Sequence, residues 1–145
     1  MEVKKKETRT LVTLLVMAII AVVVGCATTS SGPNPAKQVT AVLDAYHAAM
    51  RTQNVEKLLA VFSEDFSNSQ GATKPMLRGY FEAVLDTLKT VEIDMAQCEI
   101  SMEGDSASAE PVIYTSSAMG KVSNSYRMKK ENDGAWRIVN SEQIL

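Results

Sequence analysis

The apolar residues of this chain change period once, at Val91, and that switch limits the folds open to it. Before it, Val39, Val42, Leu43, Tyr46, Ala49 and Met50 recur at helical spacing. Val55, Leu58, Leu59 and Phe62 do the same, and then Leu77, Tyr80, Phe81, Val84, Leu85 and Leu88. After it, Val91, Ile93 and Met95 alternate with Glu92 and Asp94, the period of a strand with one buried face. Helices first and strands afterwards predict an α+β domain, its three N-terminal helices packed on an antiparallel sheet. Asn34 before Pro35, Asn54, and Thr73 before Pro75 are the helix starts. Past Ala96-Gln97 the apolar set becomes Cys98, Ile100 and Met102, which predicts a β-bulge inside one long strand. Turns at Glu103-Gly104-Asp105, Met119-Gly120 and Asn132-Asp133-Gly134 delimit the later strands, the last carrying Trp136 and Ile138 inward. Pro111 makes the strand over 106–117 either an edge or bulged there. A short extended piece over 66–69 ends at the turn Gln70-Gly71.

Residues 1–25 have the layout of an export signal: Lys4, Lys5, Lys6 and Arg9, then an uncharged, mostly apolar run from Leu11 to Gly25. That run is shorter than the ~20 residues that span a bilayer comfortably. The junction Val23-Val24-Gly25-Cys26 resembles a bacterial lipobox. The resemblance implies that the Cys26 thiol takes a diacylglyceryl group, that the signal is cut before it, and that several acyl chains anchor the product. An uncleaved signal anchor is the alternative. Ala27 follows, without the aspartate that in many such lipoproteins marks inner-membrane retention. The expected location is therefore the cell envelope, at the outer membrane facing the periplasm. Residues 26–35 are a lipidated cysteine and a Ser/Thr/Gly/Pro tether, and residues 36–145 are the domain. The leader holds four of the 15 Lys and Arg and two of the 17 Asp and Glu, which leaves 11 against 15, a net charge of −4. A mildly acidic domain without a basic cluster argues against a nucleic-acid partner. Cys98 then has no partner for an internal disulfide and reads as a small apolar residue in a strand.

The segment from Tyr46 to Phe66, YHAAMRTQNVEKLLAVFSEDF, resembles the helical opening of the nuclear transport factor 2-like superfamily. Gly134-Ala135-Trp136-Arg137-Ile138 resembles its last strand. Ketosteroid isomerases and SnoaL-like cyclases share that cone-shaped fold, in which helices close over a strongly bent sheet of four to five strands. The resemblance implies the fold over residues 36–145 and leaves function open, since enzymes, binding modules and assembly domains share it. Isomerase chemistry needs a carboxylate base and two donors for an oxyanion. Tyr46 matches the donor tyrosine of the first helix, Gln70 stands where the base would be, and Tyr126 falls near the second donor. An amide does not accept a proton near neutral pH, so the resemblance implies isomerase-like walls without the base.

The candidate ligand-binding residues are Tyr46, His47, Gln70, Tyr80, Asn124, Tyr126 and Asn140. Of these, Tyr46, His47 and Tyr126 are the catalytic candidates. His47 lies at the edge of the first helical stripe, where it either faces the cone or is simply packed. Buried tyrosines often satisfy a backbone carbonyl instead of a ligand. Asn124 shares strand parity with Tyr126, and Asn140 with Trp136, which points both inward. Met50, Met76, Met95, Met102, Met119 and Met128 either adapt a pocket to apolar ligands or fill the core. One histidine among scattered carboxylates has no metal-ligand spacing, and no phosphate loop or dinucleotide fingerprint occurs, so no metal or cofactor is expected. The reading is an anchored envelope lipoprotein that binds a small apolar or amphipathic ligand or an envelope protein. Its alternatives are an isomerase- or cyclase-like enzyme in the same pocket, and a module that dimerises or docks through the outer sheet face.

Overall fold

The three stretches with helical spacing are helices in the computed structural model, which describes residues 32–88 and 90–144. Helix α1 spans Pro35–Arg51, α2 Val55–Ala60 and α3 Lys74–Leu85. Asn34 caps α1 by accepting the Ala36 N–H at 3.0 Å, and Asn54 caps α2 by accepting the Lys57 N–H at 2.9 Å. α1 ends where Gln53 turns into a left-handed conformation, φ 51°. There the Gln53 amide donates to the Leu85 carbonyl at 2.9 Å, tying the end of α1 to the end of α3. The buried face of α1 is Val39, Leu43, Tyr46, His47, Ala49 and Met50, one stripe of the predicted spacing.

Five strands follow: β1 Val91–Asp94, β2 Glu99–Glu103, β3 Ser106–Ser116, β4 Gly120–Lys130 and β5 Trp136–Ile144. They form one antiparallel sheet in the order β1-β3-β4-β5, with β2 also paired to β3. The expected long strand with a bulge over 91–102 is instead two strands. A turn closed by the Cys98 N–H on the Met95 carbonyl, at 3.0 Å, separates them. Cys98 accordingly sits half-buried in that turn and not in a strand. The physical reason lies across the ladder. Along β3 the pairing passes from Asp94 opposite Ile113 to Glu99 opposite Glu110, so residues 95–98 face only Pro111 and Val112, and Pro111 has no N–H to offer a continuous partner strand. Of the two possibilities left open at Pro111, bulge and edge, the bulge holds, because β3 is paired on both sides and shifts register against β4 between Ala109 and Val112. A second register shift, between Arg127 and Met128 of β4 and their partners in β5, bends the far half of the sheet.

The outer edge of β5 is covered by the chain after α2. Ser63 N–H donates to the Ile138 carbonyl and Ile138 N–H to the Val61 carbonyl, both at 2.9 Å, and Ser67 N–H reaches the Val139 carbonyl at 3.1 Å. These bonds occupy an edge that would otherwise stay open to pairing. The core lies between the helices and the inner sheet face, with Phe62, Phe66, Leu58, Val112, Tyr126, Met128 and Ile138 sealed from solvent. No helix among the described residues is long and apolar enough to cross a membrane.

Candidate functional site

A cavity of about 390 Å³ lies between α1, α3 and the inner face of the sheet, within the size range of small-molecule sites. Leu77, Phe81, Val84, Leu85 and Leu88 make one apolar wall, with Val91 and Val122 completing it from the sheet. All four tyrosines of the chain line this space: Tyr46, Tyr80, Tyr114 and Tyr126. Phe62 and Phe81 add two further rings. The polar wall is Asn68 and Gln70 from the loop before α3, Asn124 from β4, and Ser141, Glu142 and Gln143 from β5. The mouth has an apolar rim, since Met76, Tyr80 and Met119 line the cavity and are exposed.

A chain of hydrogen bonds runs from this wall into the core. The Asn124 amide donates to the Tyr126 oxygen at 3.3 Å, and the Tyr126 hydroxyl donates to Tyr114 at 2.8 Å. Tyr114 in turn lies 3.2 Å from His47 Nε2. Burial holds the hydroxyls of Tyr114 and Tyr126 well above the ordinary phenol range, and neighbouring phenols add to it. Tyr46 packs edge-on against Tyr126 with ring centroids 5.7 Å apart, and burial likewise raises its hydroxyl well above the ordinary phenol range.

His47 lies behind the wall, not on it. It is buried, and desolvation followed by the nearby Arg51 guanidinium pushes its pKa from 6.5 down to about 4, with Asp44 pulling the other way. A neutral imidazole offers Nε2 as acceptor for the Tyr114 hydroxyl, which closes the chain. Between about pH 6.5 and 4 the unfolded chain therefore binds a proton that the folded chain refuses. Stability is full above that window and falls through it as pH drops, by at most ~3 kcal/mol. Denaturant midpoints should decline across this range in the parent and stay flatter in His47→Gln. Glu142 and Asp133, whose pKa values are lowered by their hydrogen bonds with Ser69 and Arg137, act in a lower window. A flat parent profile between pH 6.5 and 4 contradicts the neutral, buried imidazole.

Tyr46, Gln70, Tyr80, Asn124 and Tyr126 thus line one cavity, and two expectations are corrected. His47 does not line the cavity, because the helical stripe turns it toward Tyr114. Asn140 does not line it either. The register shift opposite Arg127 flips the parity of β5, so that Asn140 pairs with Arg127 and Ser141 with the inward Tyr126. Its amide donates to the Ser67 carbonyl at 2.9 Å and fastens the edge loop instead. Tyr114 was missed, although the bulge allowed at Pro111 puts it on the inner face. Nothing in the sequence marks the β5 shift that brings Ser141 and Gln143 inward. Among the described residues no three His, Cys, Asp or Glu side chains are grouped to hold a metal.

The sequence also matches a family directly: a model of the SnoaL-like domain covers residues 39–143. The chain belongs to that family. No curated protein matches it in sequence. Three solved structures show the same fold as this SnoaL-like domain. Bd1075 of Bdellovibrio bacteriovorus is 14% identical over 74% of the chain with a TM-score of 0.63, and the match spans only 40% of that protein. A proposed ketosteroid isomerase from Shewanella frigidimarina is 16% identical over 74% of this chain and 94% of its own, with a TM-score of 0.64. A nuclear transport factor 2-like protein from Cytophaga hutchinsonii is 14% identical over 77% and 98%, with a TM-score of 0.60. The three helices on a bent five-stranded sheet are the cone fold of that superfamily.

Proposed function

We propose that this chain is an envelope lipoprotein, anchored through Cys26, whose SnoaL-like domain binds a small apolar or amphipathic ligand in the cavity beside Tyr46. The observation that carries the binding reading is the state of the protons on the wall. Asn124, Tyr126, Tyr114 and His47 satisfy one another, so the buried phenols are fixed donors and acceptors. Gln70, which the superfamily resemblance sets at the position of the isomerase base, lines the cavity. Glu142, the one carboxylate on the wall among the described residues, is held ionised by Ser69 and Asn140, which makes it a weak base. Shape and a donor are enough for binding, and no group has to change protonation.

The enzyme reading keeps one observation in its favour: the Tyr126–Tyr114 pair links the cavity to His47. An imidazole with a pKa near 4 behind two phenols is a poor acceptor at neutral pH. The outer-face reading has less to draw on, because three of the four exposed large apolar side chains among the described residues rim the cavity. The first two readings separate in one pair of variants. For a binder, Tyr46→Phe weakens affinity for an apolar ligand by about 2- to 10-fold, the worth of one neutral hydrogen bond, and His47→Gln does little more. For an enzyme, His47→Gln removes turnover of unsaturated ketones or cyclisable substrates by roughly a hundredfold. A bell-shaped pH profile that disappears in the His47 variant would overturn the binding proposal.

A further inference from the structure

The wall of the cavity carries one formal charge among the described residues, and it is negative. Glu142 lines the space, and no lysine, arginine or histidine does. Its carboxylate is fixed in place by the Ser69 N–H at 2.7 Å, the Ser69 hydroxyl, and the Asn140 amide at 3.0 Å. These bonds hold it ionised, helped from outside the cavity by the more distant Arg127. Six aromatic rings share the same space, and the Tyr80 ring at the mouth is 54% exposed. An aromatic face attracts a cation through its quadrupole, most strongly where water is excluded. Glu142 stands partly exposed beside the Ser69 loop, so an anion entering there meets a fixed carboxylate of its own sign, and farther in only neutral amides and phenols replace its hydration.

We infer that the ligand of this cavity is a cationic amphiphile, an apolar body bearing an amine or quaternary ammonium group met by Glu142 and the tyrosine rings. The inference rests on the binding reading above and narrows it to one ligand class. The apolar body packs on Leu77, Phe81 and Val84 of α3, which accept no hydrogen bonds and so leave the polar end to the sheet side. Met76 and Met119 at the rim keep the mouth apolar, so the body can enter before the cation is desolvated. Neutral amphiphiles fill the same space without the charge term, and fatty carboxylates meet repulsion.

The test is calorimetric titration of the full-length chain in bilayer nanodiscs, with empty nanodiscs as the blank. Its probes are octyltrimethylammonium, octanol and octanoate, which share a tail and differ in charge. The ammonium should bind about tenfold tighter than octanol, and octanoate weaker than both. Glu142→Gln, which keeps an oxygen for Ser69, should bring the ammonium to within about twofold of octanol. Should that variant lose octanol as well, Tyr80→Leu decides, and the ammonium preference should fall about threefold there. Octanol binding as tightly as the ammonium, octanoate binding tightest, or a preference unchanged in Tyr80→Leu overturns the inference and leaves the binding reading in place. If none of the three saturates, both fall.

Discussion

Trp136→Ala should lower the unfolding free energy by about 3–5 kcal/mol, a large share of what a domain of this size has. The indole is buried at the start of β5, opposite Lys130, and belongs to the core that α1 closes. Its N–H donates to the Gln38 side chain at 3.2 Å, in the first turn of α1. Truncation therefore removes a large apolar surface and also strands a partly buried acceptor, two losses that add in the same direction. Gln38→Leu removes the hydrogen bond and keeps the packing, so it should cost no more than about 1–2 kcal/mol. Denaturant melts of the two variants separate the contributions. A Trp136→Ala protein that melts within a degree or two of the parent contradicts the placement of Trp136 in the core.

The second large effect concerns the anchor, on residues outside those the structure describes. Cys26→Ser removes the nucleophile that the lipobox-like junction Val23-Val24-Gly25-Cys26 presents. Incorporation of labelled fatty acid should fall to background, and the chain should persist uncut or appear as a soluble, unacylated product. Two or more acyl chains give stable membrane attachment where one is marginal, so loss of the cysteine is all or none. Processing and membrane fractionation of the variant as in the parent would remove the case for a lipoprotein.

The helical half of the fold was legible because each helix packs one face on a single core and is punctuated by a local cap. The Asn34 and Asn54 bonds are within three residues of their caps and need no tertiary partner. The strand half was legible as strands, and its turns at Gly104, Gly120 and Gly134 fall where φ is positive. What the pattern hides is register. A phase slip over 95–98 looks the same for a bulge and for a turn between two strands, and the choice depends on β3 across the ladder. The same ambiguity governs the site. Tyr46 and Tyr126 lie on elements whose parity is unbroken up to them, and they face the cavity as expected. Asn140 lies one step past a shift that only pairing with β4 creates, so it faces the edge loop while its neighbour Ser141 faces in. His47 shows the limit of a helical stripe, which separates buried from exposed but not one buried neighbour from another.

The central claim is that the space beside Tyr46 is a binding site, and filling it is the most direct test. Val84 lines the apolar wall from α3 and is only partly buried, so a larger side chain there has room to enter the cavity. Titration of the parent with a neutral apolar fluorophore should show saturable binding of one molecule per chain. Val84→Trp should abolish that binding while leaving the melting temperature within a few degrees of the parent. Binding of equal strength and stoichiometry in the filled variant would contradict the account.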